Sequence, residues 1–156
     1  MAVSLTMSDQ PALLQWAAGR VSDDPGTWPP AACALGVVDA ETGEVLAVMV
    51  SIETYDGIID VHFASNGSGR WARPNVFGGL FGYLFLVRRA FRVQGIIPVD
   101  APPAHISMML RLGFRAEGTL ASGVAPLKDG IMFGMSIQDC AWIEESDKEE
   151  SHGEVR

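Results

Sequence analysis

The sequence has few cysteines, few positive charges and no long hydrophobic run. Its two cysteines, Cys33 and Cys140, have neither the spacing of a metal site nor that of a disulfide framework, and they predict two small buried side chains in a reducing compartment. The longest apolar run, Val76 to Val87, has about twelve residues, well short of the ~20 that cross a bilayer. No basic stretch followed by a hydrophobic one marks a secretory signal. We therefore expect a cytoplasmic protein that is not inserted in a membrane.

The charge of the chain is negative and unevenly distributed. The net charge of −8 argues against general binding to nucleic acid. Seven arginines and one acid, Asp100, lie between Arg70 and Arg115, whereas residues 144–156 carry six acids. A basic middle in an acidic chain favours a small anionic ligand over a polymer. The alternative is that these arginines lie on solvated helix faces.

Length and composition predict one folded domain and a tail. With 156 residues, 48% of them hydrophobic, the chain can bury a core of ordinary size. We expect a single domain over residues 1–143. The acidic segment 144–156 has the composition of a disordered tail.

The first half predicts a helix followed by three antiparallel strands. Ser8 or Asp9 can cap the helix, whose apolar residues continue to Ala17. Residues 23–30 are rich in turn formers. The strands are expected over 31–39, 44–53 and 57–65, with turns at 40–43 and 55–57.

The middle predicts a long helix and a buried strand. Apolar residues at helical spacing extend from Pro74 to Phe91. Gly78, Gly79 and Gly82 lie within this helix and each costs roughly 1 kcal/mol relative to alanine. We expect a backbone or a ligand to approach closely there. The run 95–99 predicts a short buried strand.

The segment 104–120 predicts a short amphipathic helix, a glycine stop and a strand. Ile106, Met109 and Leu112 have roughly helical spacing, and Gly113 stands where a left-handed cap belongs. Two final strands, 115–124 and 131–142, pair across a turn near residues 128–130. The element order predicts an α+β fold with a mixed, mostly antiparallel central sheet and helices on both faces.

This order, with Leu-Gly-Phe-x-x-Glu-Gly over residues 112–118, resembles the GNAT superfamily of N-acyltransferases. The resemblance covers roughly residues 31–142. Asp139-Cys-Ala-Trp142 and Gly67-x-x-Arg-Trp71 are similar to small GNAT-like proteins encoded by tailed bacteriophages. If the protein is phage-encoded, as this similarity implies, we expect it in the host cytoplasm. The resemblance implies a GNAT-like fold and acetyl-CoA as co-substrate.

The resemblance also implies where acetyl-CoA binds. In the family, the pyrophosphate rests on the amides at the start of the helix after the fourth strand, where free N–H groups and the helix dipole favour an anion. That place corresponds here to Gly67–Asn75, and the pantetheine arm would follow a splayed strand at His62–Ser65. The implied cofactor-binding residues are Phe63, Ala64, Ser65, Arg70, Trp71, Arg73, Asn75 and Gly78. Trp71 could stack on the adenine or pack within the protein.

Two features depart from the family pattern. The phosphate loop is usually Arg/Gln-x-x-Gly-x-Gly/Ala, and neither the alignment on Arg70 nor the one on Asn75 matches it fully. Many members also carry a tyrosine in the last helix that protonates the leaving thiolate. Met109 stands at that position.

Glu53 and His62 are the candidate catalytic bases for removing a proton from an amine. Alternatively, Glu53 is an exposed strand residue and His62 a hydrogen-bonded sheet residue. The leading hypothesis is an acyl-CoA-dependent N-acyltransferase that acts on a small-molecule or protein amine. A homodimer is a candidate assembly. The second is a non-catalytic GNAT-fold binding or structural module encoded by a phage.

Overall fold

The computed structural model describes residues 2–21 and 28–152, and these residues form one seven-stranded sheet covered by helices. The strands are β1 (Val3–Thr6), β2 (Cys33–Asp39), β3 (Val45–Tyr55), β4 (Ile58–Ser65), β5 (Arg92–Pro98), β6 (Arg115–Ala125) and β7 (Lys128–Ser136). The helices are α1 (Gln10–Val21), α2 (Pro74–Gly82), α3 (Pro103–Leu112) and α4 (Glu145–His152). The sheet order is β1-β2-β3-β4-β5-β7-β6.

All neighbouring strands are antiparallel except β4 and β5, which are parallel. The predicted meander is confirmed as β2, β3 and β4, and the predicted buried strand is β5. Strand β1, a four-residue edge strand that pairs with β2, was not predicted from the sequence. The predicted α+β class with a mixed, mostly antiparallel sheet is therefore confirmed.

Helices pack on both faces of the sheet. Leu13 and Ala17 of α1 pack on Val48, Val50 and Ala64 on one face. On the other face, the side chains of α2 and α3 join the larger core, which includes Phe81, Phe85, Met109, Leu112, Ile59 and Val93. Asp9 caps α1 as predicted, since its Oδ1 accepts a hydrogen bond from the Ala12 amide at 3.3 Å. The predicted turn-rich segment 23–30 lies largely outside the described residues.

The predicted helix over Pro74–Phe91 is too long. Regular helix ends at Gly82, and a π-helical turn follows over Tyr83–Val87, closed by a bond from the Arg88 amide to the Tyr83 carbonyl at 2.9 Å. The π turn changes the helical period, so Val87 faces solvent instead of continuing the buried stripe. A 3.6-residue stripe cannot predict this shift, because its apolar residues also suit the longer helix.

Two of the three glycines in this segment are explained by packing. A Cβ on Gly78 would lie 3.3 Å from the Trp142 carbonyl oxygen, and one on Gly79 would lie 2.6 Å from Leu5. Nothing lies within 4 Å of the Cβ position of Gly82. The expected close approach is therefore made by the protein itself at Gly78 and Gly79.

The last part of the chain agrees with the prediction in α3 and differs from it in three places. The turn predicted near residues 128–130 lies instead at residues 126–127, and β7 already begins at Lys128. Gly113 ends α3 with φ 104°, the predicted left-handed cap. Strand β7 stops at Ser136, short of the predicted 142, and a 3₁₀ turn follows over Ile137–Asp139. Residues 145–152, expected to be disordered, instead form α4, and the Lys148 side chain is buried against the Gln138 carbonyl.

No helix in the described ranges is long and apolar enough to cross a membrane.

Candidate functional site

The parallel strands β4 and β5 separate partway along their length. In the described structure their ladder consists of Ile58 with Arg92, Ile59 with Val93 and Asp60 with Gln94. Beyond Asp60, β4 keeps its partner β3 as far as Ser65, while β5 stays with β7. The side of β4 that faces β5 therefore has no strand partner over Val61–Ser65, as the predicted splayed strand requires.

A cleft of about 440 Å³ opens where the two strands separate. Its walls come from β4, β5, the loop after β4, α3 and the end of α1. The lining residues are Arg20, Val21, Val61, His62, Phe63, Ala64, Ser65, Gly67, Trp71, Gly95, Ile96, Ile97, Pro98, His105, Met108 and Met109. Five of the residues predicted from sequence, His62, Phe63, Ala64, Ser65 and Trp71, therefore meet in one cleft.

His62 carries the clearest electrostatic signature in this cleft. Solvent reaches part of its side chain, and its ring makes an edge contact with Trp28 at 5.3 Å between centroids. Desolvation by the surrounding protein, which disfavours the charged form, lowers the pKa of the His62 imidazole below 6.5, and the nearby Asp60 carboxylate opposes that shift. The imidazole is therefore largely neutral at neutral pH and can accept a proton.

The structure does not bring Glu53 into the cleft. Glu53 is paired with Ile59 on β4, and because side chains alternate along a strand it lies on the opposite face of the sheet from His62. Its carboxylate accepts a bond from the Gly57 amide at 3.2 Å and lies 3.6 Å from Arg88. Both contacts hold Glu53 at the end of the sheet away from the cleft.

Arg88 also contacts Tyr83, and this tyrosine lies outside the cleft. Arg88 donates to the Tyr83 hydroxyl at 3.2 Å, and that hydroxyl lies 3.4 Å from the Cys33 thiol. Burial and the Cys33 contact raise the pKa of Tyr83, against the effect of Arg88. Tyr83 is not among the residues that line the cleft.

The loop before α2 has tight glycine turns but a crowded helix start. Gly67 and Gly69 have φ of 87° and 68°, which only glycine adopts readily. Pro74 has no N–H, and the Val76 and Phe77 amides both donate to the Arg73 carbonyl at 3.0 Å. The Asn75 amide is thus the first-turn donor best placed to receive an anion.

The other predicted cofactor-binding residues have mixed surroundings. Trp71 is buried, donates to the Ser65 hydroxyl at 3.0 Å and packs edge-on against Phe77. Its indole therefore packs within the protein, the alternative to stacking on the adenine. Arg70 lies 3.7 Å from Glu44, and both side chains are about half exposed. The space beside Gly78 is filled by the Trp142 carbonyl. Arg70, Arg73, Asn75 and Gly78 do not line the cleft.

Helix α1 contributes to the cleft, which was not predicted from the sequence, and α3 also lines it. Arg20, in the last turn of α1, reaches the cleft while donating to the Trp16 carbonyl at 2.9 Å and stacking 3.7 Å above the Trp16 ring. His105 and Met109 are four residues apart, and both line the cleft from one face of α3. An arginine near a helix end is too common to be recognised from sequence as a site residue.

Comparison with known proteins supports the fold. No protein-family model and no curated protein matches the chain. Solved mutant forms of the spermidine/spermine N-acetyltransferase SpeG from Vibrio cholerae are similar with a TM-score of 0.70 at 12% identity, covering 88% of this chain and 96% of theirs. SpeG in complex with manganese ions gives 0.67 at 12% identity, covering 86% and 92%.

At this identity the likeness shows the fold alone, and that fold is the GNAT fold expected from the sequence. The resemblance to phage-encoded proteins receives no support from these matches and stays a prediction.

Proposed function

We propose that the protein is an acyl-CoA-dependent N-acyltransferase, with acetyl-CoA as co-substrate and an amine as acceptor. The observation that carries the proposal is the separation of β4 from β5 after Asp60, which opens the cleft. A separation of this kind leaves backbone N–H and C=O groups of β4 to bond an extended ligand instead of a strand. The pantetheine arm of acetyl-CoA has two amides that suit such an edge.

The proposed path of acetyl-CoA follows the residues that line the cleft. The arm runs along Phe63, Ala64 and Ser65, and the pyrophosphate lies near the Asn75 amide with Arg70 and Arg73 close in sequence. Apolar walls from Ile97 and Met109 exclude water from the thioester. The proposal does not use Gly78, because the Trp142 carbonyl occupies its surroundings.

The proposed chemistry is attack of the amine nitrogen on the thioester carbonyl carbon. A C–N bond forms, the C–S bond breaks, the amine loses one proton and the thiolate gains one. His62, with its lowered pKa, takes the amine proton directly or through water. His105 supplies the thiolate proton from the face of α3 that also bears Met109. This assignment needs no tyrosine in α3.

The acceptor is proposed only as an amine. SpeG is a spermidine/spermine N-acetyltransferase, so the acceptors in its name are polyamines. The charged and imidazole side chains among the described lining residues are Arg20, His62 and His105, and that set contains no carboxylate. Since a polycation is normally held by carboxylates, the lining gives no reason to carry the polyamine over to this chain.

The second candidate is a non-catalytic GNAT-fold module. It is favoured by the start of α2, where Pro74 lacks an N–H and the Val76 amide already bonds to the Arg73 carbonyl, so that neither is available to a phosphate. This module would keep the fold without binding acetyl-CoA. Its encoding by a phage is a further prediction.

Calorimetric titration with acetyl-CoA, followed by an assay of thiol release with a panel of amines, separates the two candidates. The enzyme should bind acetyl-CoA and release thiol with at least one amine. His62→Gln should keep the affinity but lower kcat about 10²- to 10⁴-fold, the range typical of general-base catalysis. Glu53→Gln is the matched control and should keep kcat. Failure to bind at millimolar acetyl-CoA would leave the non-catalytic module.

A further inference from the structure

A chain of four polar side chains crosses the sheet next to the cleft. Arg92 on β5 makes a two-pronged ion pair with Glu117 on β6, and its Nε donates to the Gln94 Oε1 at 2.8 Å. Gln94 Nε2 then donates to the Asp60 Oδ1 on β4 at 2.7 Å. The chain thus links β6, β5 and β4 on one face of the sheet.

This chain of hydrogen-bonded side chains ends at the point where β4 and β5 separate. Asp60 and Gln94 form the last pair of the parallel ladder, and their side chains are bonded to each other above that pair. The next residues on the two strands, Val61 and Gly95, already line the cleft. The Asp60–Gln94 bond therefore closes the vertex from which the cleft opens.

The direction of each bond along the chain is fixed. Since the Arg92 guanidinium only donates, the Gln94 amide must present its oxygen to Arg92 and its NH₂ to Asp60. Asp60 is therefore held as an acceptor, the role of a carboxylate. Because Asp60 and His62 are two residues apart on a strand, their side chains project from the same face.

Strand β7, which lies between β5 and β6 in the sheet, leaves room for these hydrogen-bonded side chains. Gly134 of β7 lies beneath the ion pair, and a Cβ there would lie 2.6 Å from both terminal nitrogens of Arg92 and would also collide with Glu117. Gly134 has no positive φ that would require glycine. Its missing side chain is accounted for by the space that the pair occupies.

We propose that Glu117, Arg92 and Gln94 are positioning residues that fix the vertex of the cleft and hold the Asp60 carboxylate beside His62. They touch neither the thioester nor the amine. They act through Asp60, which keeps a negative charge near the imidazole, and through the Asp60–Gln94 pair, which sets where β4 turns away from β5. This inference rests on the proposed function, since the cleft is the proposed acetyl-CoA site.

The experiment compares the wild-type chain with Gln94→Met, which keeps the length of the side chain but removes its amide. Gly134→Ala is a second variant, because it displaces the ion pair without changing a charged residue. Arg115→Gln is the matched control: it removes another ion pair of β6, with Asp139 at 3.3 Å, outside the chain. Acetyl-CoA affinity is measured by calorimetry and the His62 pKa by NMR titration of its ring signals.

Both test variants should bind acetyl-CoA about tenfold more weakly, the effect of one lost hydrogen bond. The pKa of His62 should fall in both, because a released Asp60 carboxylate turns toward solvent while Arg20 and His105, which face the same cleft, keep their places. Arg115→Gln should change neither quantity. A merely structural role would change melting temperature without moving the His62 titration.

Folded variants with unchanged affinity and unchanged His62 titration would overturn the proposal. If Gln94→Met does not fold, Gly134→Ala decides by the same two measurements. If the wild type does not bind acetyl-CoA, the proposed function fails, and the His62 titration alone still judges the positioning role.

Discussion

At the scale of single residues, the cleft combines an imidazole of lowered pKa with a nearby carboxylate. The protein around His62 disfavours its charged form, and Asp60 favours it. The balance leaves a neutral imidazole that can accept a proton near neutral pH. Glu53, the other base suggested by the sequence, is instead held by Arg88 and the Gly57 amide.

Replacing Asp60 with asparagine should lower the pKa of His62 further. The carboxylate raises that pKa, so its removal leaves the lowering effect of desolvation unopposed. The acidic limb of the pH–rate profile, which lies below pH 6.5 in the wild type, should move to lower pH by the same amount. NMR titration of the His62 ring measures the shift. A pKa that rises in Asp60→Asn would contradict this account.

Replacing Arg70 and Arg73 together with alanine should weaken acetyl-CoA binding up to about tenfold, because a charge that solvent reaches contributes only a few tenths to 1 kcal/mol. The loss should shrink as salt is added, since salt screens exposed charges. The control is the double variant Arg111→Ala, Arg115→Ala, which removes two arginines elsewhere. Calorimetry at two salt concentrations gives the answer. Equal affinities for wild type and Arg70→Ala, Arg73→Ala would place the pyrophosphate elsewhere.

At the scale of elements, the glycines occupy their positions for different structural reasons. Gly78 and Gly79 make room for Trp142 and Leu5, whereas no atom lies within 4 Å of the Cβ position of Gly82. Gly57 combines a φ of 82° with close contact to the Phe91 ring. Sequence alone predicts the turn at Gly57, but it cannot separate Gly78 and Gly79 from Gly82, because all three are glycines among apolar residues.

Gly82→Ala should raise the free energy of unfolding by up to about 1 kcal/mol, because alanine is the better helix former and its Cβ meets open space. Gly57→Ala should lower it by at least about 1 to 2 kcal/mol, since a Cβ disfavours the left-handed region and would strike Phe91. Urea unfolding of both variants tests the pair. A destabilised Gly82→Ala would mean that the π turn after it requires glycine.

The same elements show what the sequence could predict. The hairpins and the α3 cap depend on turn residues such as Gly43 and Gly113, whose left-handed φ follows from local chemistry. Strand β1 is only four residues long and is fixed by its pairing with β2, so its own residues barely specify it. The π turn and the exclusion of Glu53 from the cleft depend on tertiary contacts, which a single sequence does not display.

At the scale of the whole molecule, the described part of the acidic segment, α4 over residues 145–152, belongs to the folded structure. The Lys148 ammonium donates to the Gln138 carbonyl and pairs with Glu145 at 2.7 Å. Arg89 donates to the Ser151 carbonyl near the end of α4 at 2.7 Å, where a cation also complements the helix dipole. Composition predicted disorder here because it counts charges and not the partners that neutralise them.

A chain that ends at residue 143 should therefore be less stable by about 1 to 3 kcal/mol, the range for loss of a few packed and paired groups. Thermal unfolding of the truncated chain, with a chain ending at residue 152 as control, measures the difference. Identical melting temperatures for the residue-143 chain and the full chain would restore the disordered tail. The homodimer stays a prediction.

The central claim is that acetyl-CoA lies between the separated ends of β4 and β5. A crystal structure of the protein grown with CoA tests it most directly. The account predicts the pantetheine arm bonded to the backbone of Phe63–Ser65, with the thiol between His62 and His105. CoA bound outside this cleft, or strands β4 and β5 paired beyond Asp60 and Gln94 in the crystal, would contradict it.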